Sequence, residues 1–260
     1  VFSERALPEP VRGVRDDHAP DTLVLDCERD FETLPADGRE ALAVVADSIS
    51  PLDYAESWLP ADAPELLSRL AGPDLVVGAP GDGSVGWTRQ TDPPIVFVKP
   101  RVEGSPDAFV NFLVAESLVE VGLDVPEQFL GFFQDSYPEF AAALDADPAE
   151  VYQLAYACYT AYLGPHTREV FEGWADGNGA ATERPELHDA WADSGQRLRP
   201  RLDGLSDAVS RGETSFGDAA ELACSGVKHG LDLPSPFDAL NDERYREHGA
   251  SYAVAWAKRL

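Results

Sequence analysis

The sequence predicts an α+β fold: a small antiparallel β-meander with flanking helices over residues 1–103, then a mostly helical segment over 104–260. Three observations carry this. Short apolar runs bounded by Gly and Pro crowd the first hundred residues, apolar positions at helical spacing take over after Ser105, and helix start and stop signals recur from there on. At 260 residues the chain can bury a core without disulfide or metal staples, and the sequence leaves open whether its two segments share one core.

The elements follow in order. The apolar run 22–27 is short enough to be a strand. Residues 37–49 and 63–71 carry helical spacing, the second with Pro64 in its first turn and Gly72-Pro73 at its end. Runs 74–79, 84–90 and 95–99 read as three strands, with Asp82-Gly83 as a hairpin signal between the first two. Ser105-Pro106-Asp107 opens a helix that reaches Gly122. Asp147-Pro148-Ala149-Glu150 supplies an N-cap, a first-turn proline and a capping-box glutamate, and Gly164-Pro165 predicts that helix's end. Further helices are predicted at 165–175, 185–210, 214–229 and 242–259, with a break at Leu233-Pro234-Ser235-Pro236 and a mobile loop at 176–184.

The charge balance is unusual: 47 acidic residues face 20 basic ones, a formal charge of -27, and only Lys99, Lys228 and Lys258 among the bases are lysines. So many carboxylates repel one another in dilute buffer, whereas at molar salt the Debye length falls to about 3 Å and the repulsion fades. The composition therefore predicts an acid-surfaced, halophilic protein. It also argues against nucleic acid, whose phosphates need clustered Lys and Arg; Arg197, Arg199 and Arg201 sit beside Asp193 and Asp203 and read as a solvated face. The three cysteines (Cys27, Cys158, Cys224) show no pairing pattern and predict free thiols in a reducing compartment. No stretch is apolar enough for a membrane span and the first residues lack a signal layout, so the expectation is a soluble cytoplasmic protein.

Motifs that carry chemistry fail in context. Gly81-Asp82-Gly83-Ser84-Val85-Gly86 spells G-x-G-x-x-G, yet strand-like residues and Pro93-Pro94 follow where a phosphate-binding helix should start. Lys99 and Glu116 fall in the order of a kinase N-lobe without a catalytic loop downstream, and Ser225 lacks the glycines of a nucleophile elbow. Glu116 and Glu120 stand one helical turn apart, as helix-borne metal or acid/base sites require. Where a zincin has H-E-x-x-H this helix reads Ala115-Glu116-Ser117-Leu118-Val119, so a metal site would need His166 to complete it. Glu116 and His166 are then the catalytic candidates, set against a pair at the rim of the core. Tyr152, Tyr156, Tyr159 and Tyr162 form a stripe at helical spacing; with Arg89 the first three are the ligand-binding candidates, set against plain core packing.

Three segments, Gly86-Trp87-Thr88-Arg89-Gln90, Gly164-Pro165-His166-Thr167-Arg168-Glu169 and Cys224-Ser225-Gly226-Val227-Lys228-His229-Gly230, resemble those of an uncharacterised protein family from haloarchaea, and the likeness runs nearly end to end. The resemblance implies a halophilic cytoplasmic setting and carries over no activity, cofactor or catalytic residue. The expected function is a binding or interaction protein without catalysis and without a cofactor, its partner a protein or small molecule rather than nucleic acid or a membrane. The alternative is a metal-assisted hydrolase with a degenerate zincin-like helix.

Overall fold

The computed structural model describes residues 1–78, 83–176 and 183–260. In chain order come strand β1 (Phe2–Glu4), helix α1 (Glu9–His18), β2 (Leu23–Cys27), α2 (Ala36–Val45), β3 (Ser48–Ile49), α3 (Glu65–Ala71), β4 (Val85–Thr88), β5 (Thr91–Asp92), β6 (Ile95–Val98) and α4 (Asp107–Gly122). Helices then continue to the end: α5 (Phe129–Phe133), α6 (Tyr137–Ala142), α7 (Pro148–Gly173), α8 (Pro185–Leu202), α9 (Leu205–Ser210), α10 (Phe216–Ser225), α11 (Glu243–His248) and α12 (Ala250–Ala257). The α+β class and the helical second half hold. Among the described residues no helix is long and apolar enough to cross a membrane.

The chain forms two compact units that interleave along the sequence. The first takes Val1–Asp53, Gly72–Glu127 and Gly173–Ala190; the second takes Tyr54–Ala71, Gln128–Glu172 and Trp191–Leu260. In the first unit a four-stranded sheet runs in the order β1-β2-β6-β4. All four residues of β6 are buried, so this strand belongs at the centre of the sheet with neighbours on both edges. Its antiparallel partner is β4 (Val85↔Val98), as the meander reading predicts, and its other partner is β2, parallel, with Leu23↔Ile95. The sheet is therefore mixed.

The run 74–79 is not a strand over its described residues: Leu75, Val76 and Val77 are buried, and the Val76 and Val77 carbonyls accept from Gln90 Nε2 and from the Leu34 amide, each at 2.9 Å. The Asp82-Gly83 hairpin signal and the Gly81-Asp82 start of the glycine motif involve residues 79–82, outside the described residues. So does most of the predicted 176–184 loop. Leu25, Cys27, Leu34, Leu42, Leu75, Val77, Ile95 and Phe97 make one core, with Phe2 and Phe31 stacked obliquely or edge-on against Phe97. Helix 37–49 ends early: Ala46 turns extended and Ser48–Ile49 pairs with β5 instead.

Helix α4 is apolar on nearly every face, with Val110, Phe112, Val114, Ala115, Leu118 and Val119 all buried, which is the pattern of a helix enclosed by neighbours. It packs on α1 and on β4. Gly122 ends it against the His18 carbonyl, where any Cβ would overlap the backbone.

In the second unit α7 runs straight through Gly164-Pro165, contrary to the predicted stop. A proline inside a helix costs about 3 kcal/mol, so tertiary contact must outweigh it. Gly164 and Pro165 are buried, and a Cβ at Gly164 would lie 2.7 Å from Val227 Cγ1 and 2.9 Å from the Lys228 nitrogen. The predicted helices 185–210 and 242–259 are each split at a glycine with positive φ, Gly204 (75°) and Gly249 (49°). Helices α5 and α6, unforeseen, bring Phe129, Phe133, Tyr137 and Phe140 into one ring cluster with neighbouring centroids 4.7–6.5 Å apart.

Candidate functional site

The residues singled out from sequence fall in different units. Glu116, Glu120 and Arg89 belong to the first; His166, Tyr152, Tyr156 and Tyr159 belong to the second. Glu116 is buried, at 7% exposure, within the stretch 114–119 of α4, every residue of which is buried. Glu120 accepts a hydrogen bond from Trp87 Nε1 at 2.7 Å. Among the described residues no group of three or more His, Cys, Asp and Glu side chains gathers as metal ligands would.

Arg89 is committed within its own unit. Its guanidinium donates to the Leu123 carbonyl at 2.9 Å and to the Val125 carbonyl, satisfying the chain just past the end of α4, and lies 5.3 Å over the Trp87 ring. Beside it Glu127, which the sequence reading passed over, accepts from Thr88 Oγ1, the Arg89 amide and Gln90 Nε2, each at 2.7 Å. Burial pushes the Glu127 carboxyl above the usual carboxylate range, against the pull of those three donors and the Arg89 charge. The segment 86–90 thus grips the end of α4 and the loop after it. This is a scaffold role.

The tyrosine stripe is packed. Tyr152 meets Phe129 edge-on at 5.2 Å and Tyr159 meets Phe132 at 5.7 Å, both tyrosines being buried, while Tyr156 is half-buried. At its far end the stripe reaches a cleft. Tyr162, half-buried, lies 4.7 Å from Phe132 and 5.3 Å edge-on from His166. Phe132 and Tyr162 line a cleft of about 340 Å³ together with the turn Gln134–Ser136 and the turn from Arg246 to Ala250.

Two corners shape this cleft. Gln134 has φ 51° and ψ -133°, the positive-φ conformation otherwise held by glycine among the described residues, and such backbone in a non-glycine residue costs about 1–3 kcal/mol. Strain of this kind persists where the surroundings enforce it, and Gln134 sits on the cleft wall. Gly249 adopts nearly the same angles on the other turn (49° and -123°), and a Cβ there would lie 3.2 Å from Phe132 Cε2. Glycine is what lets that turn approach the rings.

Charge around the cleft is mixed. Arg246 pairs with Glu169 at 2.7 Å, while Asp135 and Glu247 add acid to the lining. His166 is half-buried with its Nε2 enclosed and making no hydrogen bond; burial and then Arg246 lower its pKa below the usual value, with Glu169 opposing, so the imidazole is neutral near pH 7. Sequence reasoning reached His166 and Tyr162 but missed Gln134 and Arg246. Gln134-Asp135-Ser136, a polar break between two aromatic runs, was the available signal.

The other two resembling segments also prove structural. Thr167 Oγ1 donates to the Gly164 carbonyl at 3.1 Å, Gly195 lets the His229 ring approach, and Trp191 stacks on His229 at 5.9 Å while donating Nε1 to the Lys228 carbonyl at 3.0 Å. Burial, then the neighbouring Lys228 charge, lowers the His229 pKa to about 3, with a hydrogen bond to the Trp191 backbone opposing. All three cysteines are free and buried, and burial raises the Cys27 thiol to about 12. These thiols are inert core groups.

Comparison with curated proteins and with solved structures finds no match. One family profile, described as a family of unknown function (DUF7089), matches residues 1–260, and the chain belongs to that family.

Proposed function

We propose that this chain is a non-catalytic binding protein of a haloarchaeal cytoplasm, and that it takes a small polar ligand in the cleft formed by Phe132, Gln134–Ser136, Tyr162 and Arg246–Ala250. The observation that carries the reading is the joint presence, in one unit, of an open cleft of about 340 Å³ and a non-glycine residue held at positive φ on its wall. A volume of this size suits a small molecule. Filling the cleft by Ala250→Trp, at a half-exposed position, leaves the core untouched. Saturable small-molecule binding that stabilises the chain against heat and disappears in this variant is the expected result; binding indifferent to the variant, or reproducible turnover of a substrate, would sink the reading.

The salt-loving part of the proposal is supported by the formal charge of -27 and by the placement of the acids: among the described residues Glu116 is the one Asp or Glu in the fully buried class. Repulsion among the remaining carboxylates is relieved by screening. The melting temperature is therefore expected to rise steeply between about 0.1 M and about 3 M KCl. A flat profile contradicts it.

A further inference from the structure

The first unit leaves an edge of its sheet unguarded. The order β1-β2-β6-β4 makes β1 and β4 the two edges. A bare edge offers unpaired N–H and C=O groups to any other strand, and charged residues or prolines commonly protect it. Strand β1 carries the exposed Glu4, with Arg5 following. Residues 83–88, which read Gly-Ser-Val-Gly-Trp-Thr and contain β4, hold neither a charge nor a proline, in a chain of which 26% of residues are charged. The ladder fixes which groups stand open. The Lys99 amide donates to the Ser84 carbonyl at 2.9 Å, so Ser84 and Lys99 form a hydrogen-bonded pair, and by alternation so do Gly86 with Phe97 and Thr88 with Ile95. Val85 and Trp87 lie in the intervening pairs, with their amides and carbonyls turned away from β6 toward the open edge. No backbone group among the described residues bonds to them there.

An apolar strip borders this edge. The side chains of Val85 and Trp87 project to one face of the sheet, the face that α4 covers, since Trp87 Nε1 reaches Glu120. Phe109, Leu113, Glu116 and Glu120 recur at i, i+4, i+7 and i+11 and share one side of α4, so the Trp87–Glu120 bond sets that side beside β4. Phe109 is 38% exposed, and Leu113, Val85 and Trp87 are half-buried. The two carboxylates of the strip are not bare toward a partner: Glu116 is buried, and Glu120 accepts from Trp87.

From the open edge and the strip beside it we infer that a second copy of this chain docks here, β4 against β4, antiparallel about a twofold axis through Gly86. The edge is self-complementary. Val85 and Trp87 are equidistant from Gly86, so the amide and carbonyl of Val85 meet the carbonyl and amide of the second copy's Trp87, and the reverse holds across the axis. Each Trp87 then lies beside the other copy's Val85, an aromatic against a β-branched side chain, a pairing that stabilises adjacent strands. Four-residue strands alone fall short of the roughly 1,000 Å² that a specific interface needs, so the Phe109 and Leu113 strips must close on one another as well. Charge selects the occupant. A basic partner is drawn to exposed carboxylates, which this patch does not offer, whereas a second copy brings a like, uncharged surface, and the repulsion between two chains of formal charge -27 is screened at molar salt.

The test is sedimentation velocity of the full chain in about 3 M KCl over a range of micromolar concentrations, with hydrogen exchange followed at single amides. Val85→Pro removes an edge-facing N–H and leaves the ladder to β6 in place. Phe109→Glu sets a charge on the exposed strip, and Val44→Glu, at an 85% exposed apolar position on α2, is the control. The expected result is a reversible dimer whose dissociation constant rises at least about tenfold in Val85→Pro and in Phe109→Glu and is unchanged in Val44→Glu, the Val85 and Trp87 amides exchanging more slowly as the dimer forms. A chain that is monomeric at every concentration overturns the inference, whether the edge is then bare or taken by a strand of another protein. So does a dimer that both edge variants leave intact, one that Val44→Glu weakens equally, or one in which the two amides exchange as fast as in the monomer. The exchange measurement needs only the parent chain, so it decides the question even where Val85→Pro fails to fold.

Discussion

The segment Gly86–Gln90 of the first unit and the junction of Gly164–Glu169 with Val227–Gly230 in the second do the same work by opposite means. The first is a polar clasp: Trp87, Thr88, Arg89 and Gln90 each spend a donor on Glu120, Glu127 or the carbonyls of Leu123 and Val125. The second is a steric joint, where the absence of a side chain at Gly164 and Gly195 lets Val227 and His229 come close enough to pack. A clasp fails when a donor or acceptor changes; a joint fails when an atom is added. Burial also shifts a pKa at each, upward for Glu127 in one and downward for His229 in the other.

The largest effect should come from pH at the joint. A histidine whose folded pKa lies at about 3, against an ordinary value near 6.5, contributes stability that is fully present above pH 6.5 and is lost as pH falls toward 3, since the unfolded chain binds the proton first. The contribution is on the order of 4 kcal/mol. Chemical denaturation of the parent and of His229→Phe, followed by Trp fluorescence from pH 7 to 4, should show a shallower pH slope for the variant. Equal slopes would mean that His229 is not the group that titrates.

Next in size is Gly164→Ala. In an ordinary helix this change helps by close to 1 kcal/mol. Here the new methyl would meet Val227 and the Lys228 backbone within 3 Å, and a loss of about 3 kcal/mol is expected from urea titration. A gain would show that the joint yields, and that the proline in α7 is tolerated for some other reason.

The smallest of the three falls on the clasp. Glu127→Gln keeps the shape but turns an acceptor into an NH₂ group that faces Thr88, Gln90 or the Arg89 amide, all of them donors, and about 2 kcal/mol should be lost. The loss should grow as pH is lowered through the raised Glu127 pKa, because the folded parent takes up a proton before the unfolded chain does and is stabilised by it, whereas the variant has no proton to bind. An unchanged midpoint would reduce Glu127 to a bystander and leave the clasp to the Trp87–Glu120 bond and to Arg89 on its two carbonyls.

How much of this was legible beforehand differs between the regions. Strands 23–27, 85–88 and 95–98 and helix 107–122 could be read because their apolar patterns are local and strong. The residues of both the clasp and the joint could be noticed as segments, yet their roles could not: nothing in Gly86–Gln90 names Glu127 as its acceptor 37 to 39 residues on. The candidate cleft was legible in part. Tyr162 and His166 lie on a visible stripe, whereas Gln134 and Arg246 reach it from loops and helix ends whose directions depend on positive-φ corners at Gln134 and Gly249.

By itself the sequence determined the α+β class, the helical character of the second half, the charge imbalance and the free state of the cysteines, since each follows from composition or from periodicity within one element. Tertiary structure decided the rest. It set β2 parallel beside β6, carried α7 through Pro165, turned Arg89 onto carbonyls and opened a cleft at the end of the tyrosine stripe. Each of these depends on contacts between residues distant in sequence, whose burial and close packing outweigh the local preferences of glycine and proline.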